Sequence, residues 1–498
     1  MTETSFDVVI FGSGPAGSVL AMTLCRQGLR VLLVERQKHP RFAIGESTTP
    51  LGNLILETLG HRYQLPELVS ISEYGRWQRD VPHLSCGLKR GFSFFFHREG
   101  EAFHPGENHA HELLVAASPD DASADTHWLR ADVDEYLMQR AVAAGATYWD
   151  LSSLQSAHRV GDHWNLNIIR EGNTQVVNCR FVCDASGPGG SIAKKLVPNY
   201  DDLPDPPPFQ TRSRSLYNHF DQMPRWQNHL AEQAITTADH PFPCDAAALH
   251  HVFDGGWMWV LRLDSGVVSA GFSLCPEKFP LASAGAPLEE WNRMLSRFPG
   301  IAEQFRDSRS LREWVQTGDM QYRSRQMAGK GFVQLPHAAY FLDPLFSPGM
   351  AHSFLAVERL AEILGTHAQD WTTDAFDASI THYATRMVQE MQHIDTLLAG
   401  CHRSMHDFSA FVAQSMLYFS GAILHEEARR LDAAKSASLG FLSSHLPSLQ
   451  MAALENWQQI QARPCDLTPQ LQSRAKELIA KHEVKPLRSP AMQHMYPY

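Results

Sequence analysis

Three glycines and one acid carry the first chemical signal. Gly12, Gly14 and Gly17 stand as G-x-G-x-x-G, and Glu35 closes the next apolar stretch. In such a fingerprint the first glycine allows a tight turn. The second lets the backbone approach a pyrophosphate, and the third permits close helix–strand packing. N–H groups at the following helix start face phosphates, and the acid accepts hydrogen bonds from a ribose. These residues together predict a site for the ADP half of a dinucleotide. Glu46, Ser47 and Thr48 offer further hydrogen-bonding groups in the loop RFAIGESTTP, Arg41–Pro50. Lys89 stands between Gly87 and Gly91, just before Phe92, Phe94, Phe95 and Phe96.

The elements that must position these groups follow from the pattern. Phe6–Phe11 and Arg30–Val34 read as buried parallel strands. Val19, Leu20, Thr23 and Leu24 recur at helical spacing between them, and Gly28 stops that helix. Ser93–His97 reads as a strand, Glu99–Thr126 as a polar loop or lid, and Arg130–Gly145 as a helix. Strands at Thr147–Trp149, Asn165–Ile169 and Gln175–Val182 lead into CDASGPGG. The stiff connection DDLPDPPP, Asp201–Pro208, opens a second strand-rich region. There Asp264-Ser265-Gly266 is the turn between Trp257–Leu263 and Val267–Leu274. Phe332–Pro336 and Ala339–Leu342 read as short strands before Asp343–Gly349. From Met350 the pattern is helical to the end, with Phe376, Ile380, Tyr383, Met387, Met391, Ile394 and Leu398 in one stripe.

Composition narrows the class. The chain has 498 residues, 44% of them hydrophobic and 19% charged, which suits a globular protein of two domains or one elaborated domain. A net charge of −11 without a basic patch excludes a general nucleic-acid role. Phe408–Leu424 is the least charged long stretch. It is slightly short of a bilayer span and reads as a buried or groove-facing helix, so no integral membrane segment is expected. The eight cysteines lack C-x-x-C pairs, and no signal-peptide pattern is present. A cytoplasmic location is the resulting expectation. The 26 histidines form no metal spacing, so no metal is expected. His109 and His111 fall in the polar loop, and adjacent His250 and His251 point to opposite faces of a strand.

Taken in order, G-x-G-x-x-G, GES-x-x-P, G-x-K, R-x-x-x-D-x-x-L, D-A-S-G, W-x-W and D-P-x-x-S-x-G resemble the flavin-dependent halogenases of the FAD monooxygenase superfamily. The similarity is strongest to the phenol and pyrrole branch, including the phloroglucinol-type enzymes. It implies an α/β fold: a Rossmann-type FAD-binding domain of the aromatic-hydroxylase kind, a β-sheet substrate subdomain and a helical C-terminal region. The expected division is 1–200 with 325–365 for FAD, 85–130 with 205–324 for the substrate-side sheet, and 366–498 for the helices. Gly12, Ser13, Gly14, Ala16 and Gly17 would hold the pyrophosphate and Glu35 the ribose. Gly45, Glu46, Ser47 and Thr48 would line the flavin, Arg130 would contact it, and Asp343 would face the ribityl or pyrophosphate region. Ser347, Gly349 and Met350 would hold halide. Phe94, Phe96, Trp257, Trp259 and Phe346 would lie on the substrate side.

The resemblance also implies a reaction. Reduced FAD and O2 generate an oxidant, halide converts it to hypohalous acid, and Lys89, matching the catalytic lysine, delivers halogen to an electron-rich ring. A lysine suits this because it donates N–H when charged and is nucleophilic when neutral, and burial favours the neutral form. No second dinucleotide fingerprint exists, so FADH2 would come from a separate flavin reductase. The substrate would be a small aromatic, free or on a carrier protein.

Three departures matter. Pro348, lacking an N–H, leaves halide to Gly349 and Met350, or halogenation is lost. Phe346 stands where tryptophan halogenases carry a glutamate, which favours a phenol or pyrrole. Val260, Leu261 and Arg262 replace the Ile-Pro that usually follows W-x-W. The competing readings are an FAD-dependent monooxygenase and an isoprenoid double-bond reductase.

Overall fold

The structure is a computed structural model describing residues 4–188, 192–281, 286–432, 438–462, 467–488, 490 and 492–498. Gly189 and Gly190 of the glycine-rich turn lie outside the described residues. In chain order the strands are β1 (Thr4–Phe11), β2 (Val31–Val34), β3 (Cys86–Lys89), β4 (Gly91–His97), β5 (Glu112–Ala116), β6 (Asp125–Trp128), β7 (Thr147–Trp149), β8 (Ser152–Val160), β9 (His163–Arg170), β10 (Asn173–Asp184), β11 (Arg214–Asp221), β12 (Ala248–Phe253), β13 (Gly256–Arg262) and β14 (Val268–Leu274), followed by shorter segments. The longer helices are α1 (Pro15–Arg26), α2 (Pro50–Arg62), α3 (Arg130–Ala143), α4 (Pro348–Thr366), α5 (Asp374–Ser404), α6 (Phe408–Leu431), α7 (Pro447–Ala462) and α8 (Thr468–Lys481).

Two sheets organise the molecule. The first is parallel at its centre, with Phe332–Gln334, β10, β1, β2 and β7 in that order. Its central strands are apolar because both faces are covered, and Val8, Ile10, Leu32 and Leu33 are fully buried. The second sheet runs β11-β14-β13-β12-β4-β5. Only its β12–β4 junction is parallel inside this run. Between the sheets, β3 and β6 form a separate two-stranded ribbon.

Capping residues start the helices that close the site. The Thr49 side chain accepts from Gly52 N–H at the start of α2, and Asp407 accepts from Ser409 and Ala410 N–H at the start of α6. Helix α6 is buried along most of its length, as its low charge requires. No helix among the described residues is long and apolar enough to cross a membrane.

Two stretches depart from the pattern reading. The polar stretch Glu99–Thr126 contains β5 and the start of β6, and both strands are buried. Polar partners rather than apolar content accompany these strands: Glu112 Oε2 contacts His109, Asp125 Oδ1 accepts from Asn53 at 2.8 Å, and Thr126 N–H donates to the Thr48 hydroxyl. The C-terminus is not helical throughout, because Met495–Tyr496 returns as a strand beside β5. The strand expected over Ala339–Leu342 is present at Tyr340–Phe341 only, because Pro336–Ala339 makes a short helical turn before it. The Pro at the first helical position explains that start.

One buried ion pair fixes α6 on α4. Arg429 donates to both oxygens of Glu358 at 2.9 and 3.0 Å, and both side chains are almost fully buried. Arg62 lies 3.7 Å from the same carboxylate. Removing Arg429 strands a buried charge, so Arg429→Ala should lose about 3 kcal/mol in urea unfolding. The double replacement Arg429→Met, Glu358→Leu should recover most of it. An unchanged unfolding midpoint for the single variant would show that the pair does not hold α6.

Candidate active site

The glycine turn has the shape that its sequence requires. Gly12 has φ +102°, and a Cβ there would sit 2.2 Å from the Ala185 carbonyl oxygen. A Cβ at Gly17 would sit 2.0 Å from the Gly12 oxygen. Gly14 differs, since a Cβ there would make only ordinary contacts, 3.7 Å from Arg41, 3.7 Å from Arg130 and 3.9 Å from Asp134 Oδ2. The first N–H groups of α1 lack intrahelical acceptors. A cradle with two guanidinium groups beside a helix N-terminus fits a pyrophosphate. Ser13 is buried in this turn and Ala16 is half-buried.

Asp134 holds both arginines. It accepts from Arg130 Nε at 2.7 Å and from Arg41 at 3.2 Å. Arg41 also donates to Glu35 Oε2 at 3.2 Å. Burial pushes the Glu35 carboxyl up, but Arg41 and N–H bonds from Gln37 and Ser13 outweigh it and hold the group below its ordinary value. Glu35 is therefore an anion beside the turn, with Oε1 bonded to Gln37 and Oε2 to Ser13. Arg130 donates to the Ile44 and Gly45 carbonyls at 2.7 and 2.9 Å, tying the GES loop to the turn.

The GES loop connects in turn to Lys89. Glu46 accepts from or donates to His219 at 2.8 Å, while its second oxygen and the Ser47 hydroxyl are buried without a protein partner. Such orphaned polar atoms suit a polar ligand at this loop. Thr48 bonds Thr126 through N–H and hydroxyl, and its carbonyl accepts from Lys89 Nζ. Lys89 ends β3 with no exposure, and Nζ sits 4.1 Å over the Phe92 ring. Burial pushes its pKa down, opposed by Asp125 and Glu426. Asp125 faces it across the β3–β6 ladder, and burial pushes that carboxyl up.

An aromatic box adjoins the lysine. Phe94 stacks on His250 at 4.4 Å, and both Phe92 and Phe94 meet Phe346. Helix α6 adds Phe411, Tyr418 and Phe419 around Phe346. Burial pushes His250 down to about 3, so it is a neutral wall. Trp257 borders the box beside His250 at 5.3 Å, while Trp259 turns to Tyr217 and bonds Ser269. Phe96 lies at the far end, stacked on Phe408.

Beside the box, Phe346 and Ser347 both adopt positive φ, +65° and +57°, immediately before α4. Consecutive left-handed non-glycine residues mark a turn held by its surroundings. Pro348 gives no N–H, but Gly349 and Met350 present theirs at the N-terminus of a 19-residue helix. Asp343 has protein partners on both carboxylate oxygens. Its carboxylate accepts from Ser213, Ser273 and the Leu345 N–H at 2.6, 2.7 and 3.0 Å and pairs with His402 at 3.2 Å. It therefore ties this turn to the second sheet and α5.

The sequence reading passed over Arg41, Asp125, His337 and the aromatic face of α6. Nε2 of His337 is 2.7 Å from where a Gly349 Cβ would stand. Burial, with the Arg130 charge adding, pushes His337 down to about 4, so it is neutral. The Asp of R-x-x-x-D-x-x-L was the one available signal for Asp134.

Comparison with known proteins agrees with this geometry. A family model described as FAD binding domain matches residues 5–45, and one described as Tryptophan halogenase matches residues 122–403. Monodechloroaminopyrrolnitrin halogenase PrnC of Pseudomonas fluorescens is 32% identical over 437 residues, covering 84% of this chain and 71% of that protein. Tetracycline 7-halogenase of Kitasatospora aureofaciens is 30% identical over 369 residues, 72% of this chain and 63% of that one. The crystal structure of halogenase PltM in complex with phloroglucinol and FAD superposes with a TM-score of 0.83 at 26% identity, covering 96% of each chain. These similarities place the chain in the flavin-dependent halogenase family.

Proposed function

We propose that this protein uses FADH2, O2 and halide to halogenate a phenolic or pyrrolic ring, with Lys89 as its catalytic residue. The observation that carries the reading is the Lys89 amine. It is sealed from water, bonded to the GES-loop carbonyl and set at the rim of the aromatic box. Bound FADH2, with O2, supplies the oxidising equivalent that turns halide into hypohalous acid. Gly14, Arg41 and Arg130 hold the pyrophosphate, and the Gly349 and Met350 N–H groups hold halide.

Lys89 N–H donates to the oxygen of hypohalous acid in the box. The carbon–halogen bond forms as the halogen–oxygen bond breaks, and the oxygen leaves as water. The proton that this requires is balanced by the one lost from the substituted carbon, and Asp125, which bonds Asn53, acts on the Lys89 amine through its charge. Phe346 offers no anion to a cationic ring intermediate, so the ring's own oxygen or nitrogen must supply electrons. The likeness to a halogenase solved with phloroglucinol supports the phenolic choice. A carrier-bound ring remains compatible, since a relative of 22% identity is a chlorinase of a pyrrole on a peptidyl carrier protein. The absence of a second dinucleotide fingerprint supports a separate flavin reductase.

With a flavin reductase, FAD, NADH, O2 and bromide, a panel of phenols and pyrroles should yield products with the halogen isotope pattern. Lys89→Ala should lower that yield by about 10²-fold or more while FAD binding and peroxide release persist. Products gaining only oxygen, or full halogenation by the variant, would overturn the proposal. Asp125→Asn removes the anion that opposes burial at Lys89, so the Lys89 pKa falls further. The limb of the kcat/KM profile belonging to Lys89 should move to lower pH, and a stationary limb would show that the Asp125 charge does not act on Lys89.

A further inference from the structure

On the face of the second sheet opposite the aromatic box, three potential ligands converge. His109 comes from the turn Glu107–His109, Glu112 begins β5, and His240 comes from the connection before β12. Their ligand atoms all lie within 4.8 Å of one another. Glu112 pairs with Phe95 across the β4–β5 ladder, and Phe95 packs in the core on the far side from Phe94. The cluster is thus separated from Lys89 by the sheet itself.

The side chains are 8%, 0% and 2% exposed for His109, Glu112 and His240. His109 Nδ1 contacts Glu112 Oε2. The other Glu112 oxygen has no hydrogen-bond partner, nor does either ring nitrogen of His240, though Oε1 and Nε2 lie 3.6 Å apart. Each buried polar atom left so costs about 1–3 kcal/mol. A divalent cation held by His109 Nδ1, Glu112 and one ring nitrogen of His240 would give the free Glu112 oxygen and His240 a common partner.

A second observation points the same way. His109 Nε2, its back nitrogen, lies 3.4 Å from Asp239 Oδ2. A metal-bound histidine commonly donates its remaining N–H to a carboxylate, which fixes its tautomer and raises its basicity. Two imidazoles and one carboxylate select a borderline ion over Mg2+ or Ca2+, which prefer all-oxygen shells. Three protein ligands leave a fourth tetrahedral position for water. We propose that His109, Glu112 and His240 form a Zn2+ site.

The role that follows is structural. The His494 ring bonds the Glu112 carbonyl at 3.1 Å, and Leu114 N–H donates to the His494 carbonyl at 3.0 Å. The ion would fasten the turn before β5 and the connection before β12 to the strand that the C-terminus joins. Sequence spacing could not signal it, because His240 is far from the other two along the chain.

The test uses the full chain, stripped with a chelator, refilled with Zn2+ and dialysed. Elemental analysis should find one Zn2+ per chain in the wild type and in Lys89→Ala, and almost none in His240→Ala or Glu112→Gln. Co2+ should give the intense visible bands of a four-coordinate site in the wild type. Chelation should lower the wild-type Tm and leave that of a folded His240→Ala protein unchanged. No retained Zn2+ in the wild type, equal retention in the variants, or a six-coordinate Co2+ spectrum would overturn the proposal. If the variants fail to fold, the wild-type stoichiometry and Co2+ spectrum decide it.

Discussion

The structure is built around an amine that has been taken out of water. Burying an ammonium group is costly unless acceptors and opposite charges are arranged around it. Here the arrangement consists of the Thr48 carbonyl, the face of Phe92 and the Asp125 carboxyl across the ladder. Each partner comes from a different element. The GES loop supplies the first, the start of β4 the second and β6 the third. Displacing any one would leave the lysine or its partner unsatisfied, so the three elements are held in mutual register.

The same economy of buried charge runs toward the cofactor end. Asp134 holds Arg41 and Arg130, and Arg130 grips the GES-loop carbonyls. A chain of polar contacts therefore runs from the glycine turn through Arg130 and the loop to Lys89. It offers a rigid path between the place where an oxidant would be made and the place where it would be used. Phe346 stands at the turn before α4 and meets both Phe92 and Phe94, so that turn is packed against the box.

The β1-α1-β2 unit was legible because its signals are local: an apolar run, three glycines and an acid. The strand pairings around Trp257 and Asp264 were legible for the same reason. Glu99–Thr126 was not, because its buried acids and histidines look solvated until distant partners are known. Asp125 acquires meaning only opposite Lys89, and His337 only beside Gly349 and Arg130. Phe411, Tyr418 and Phe419 fall in a stretch that reads as a buried or groove-facing helix, but nothing in its sequence says which site it faces.

The central claim is that Lys89 is held out of solvent with its pKa depressed. The direct measurement is an NMR titration of 15Nζ-labelled lysines in the full protein, with Lys89→Ala used to assign the resonance. The account predicts that Lys89 titrates below the ordinary lysine range and exchanges its protons more slowly than the others. Titration at the ordinary lysine value, with exchange as fast as that of exposed lysines, would contradict it.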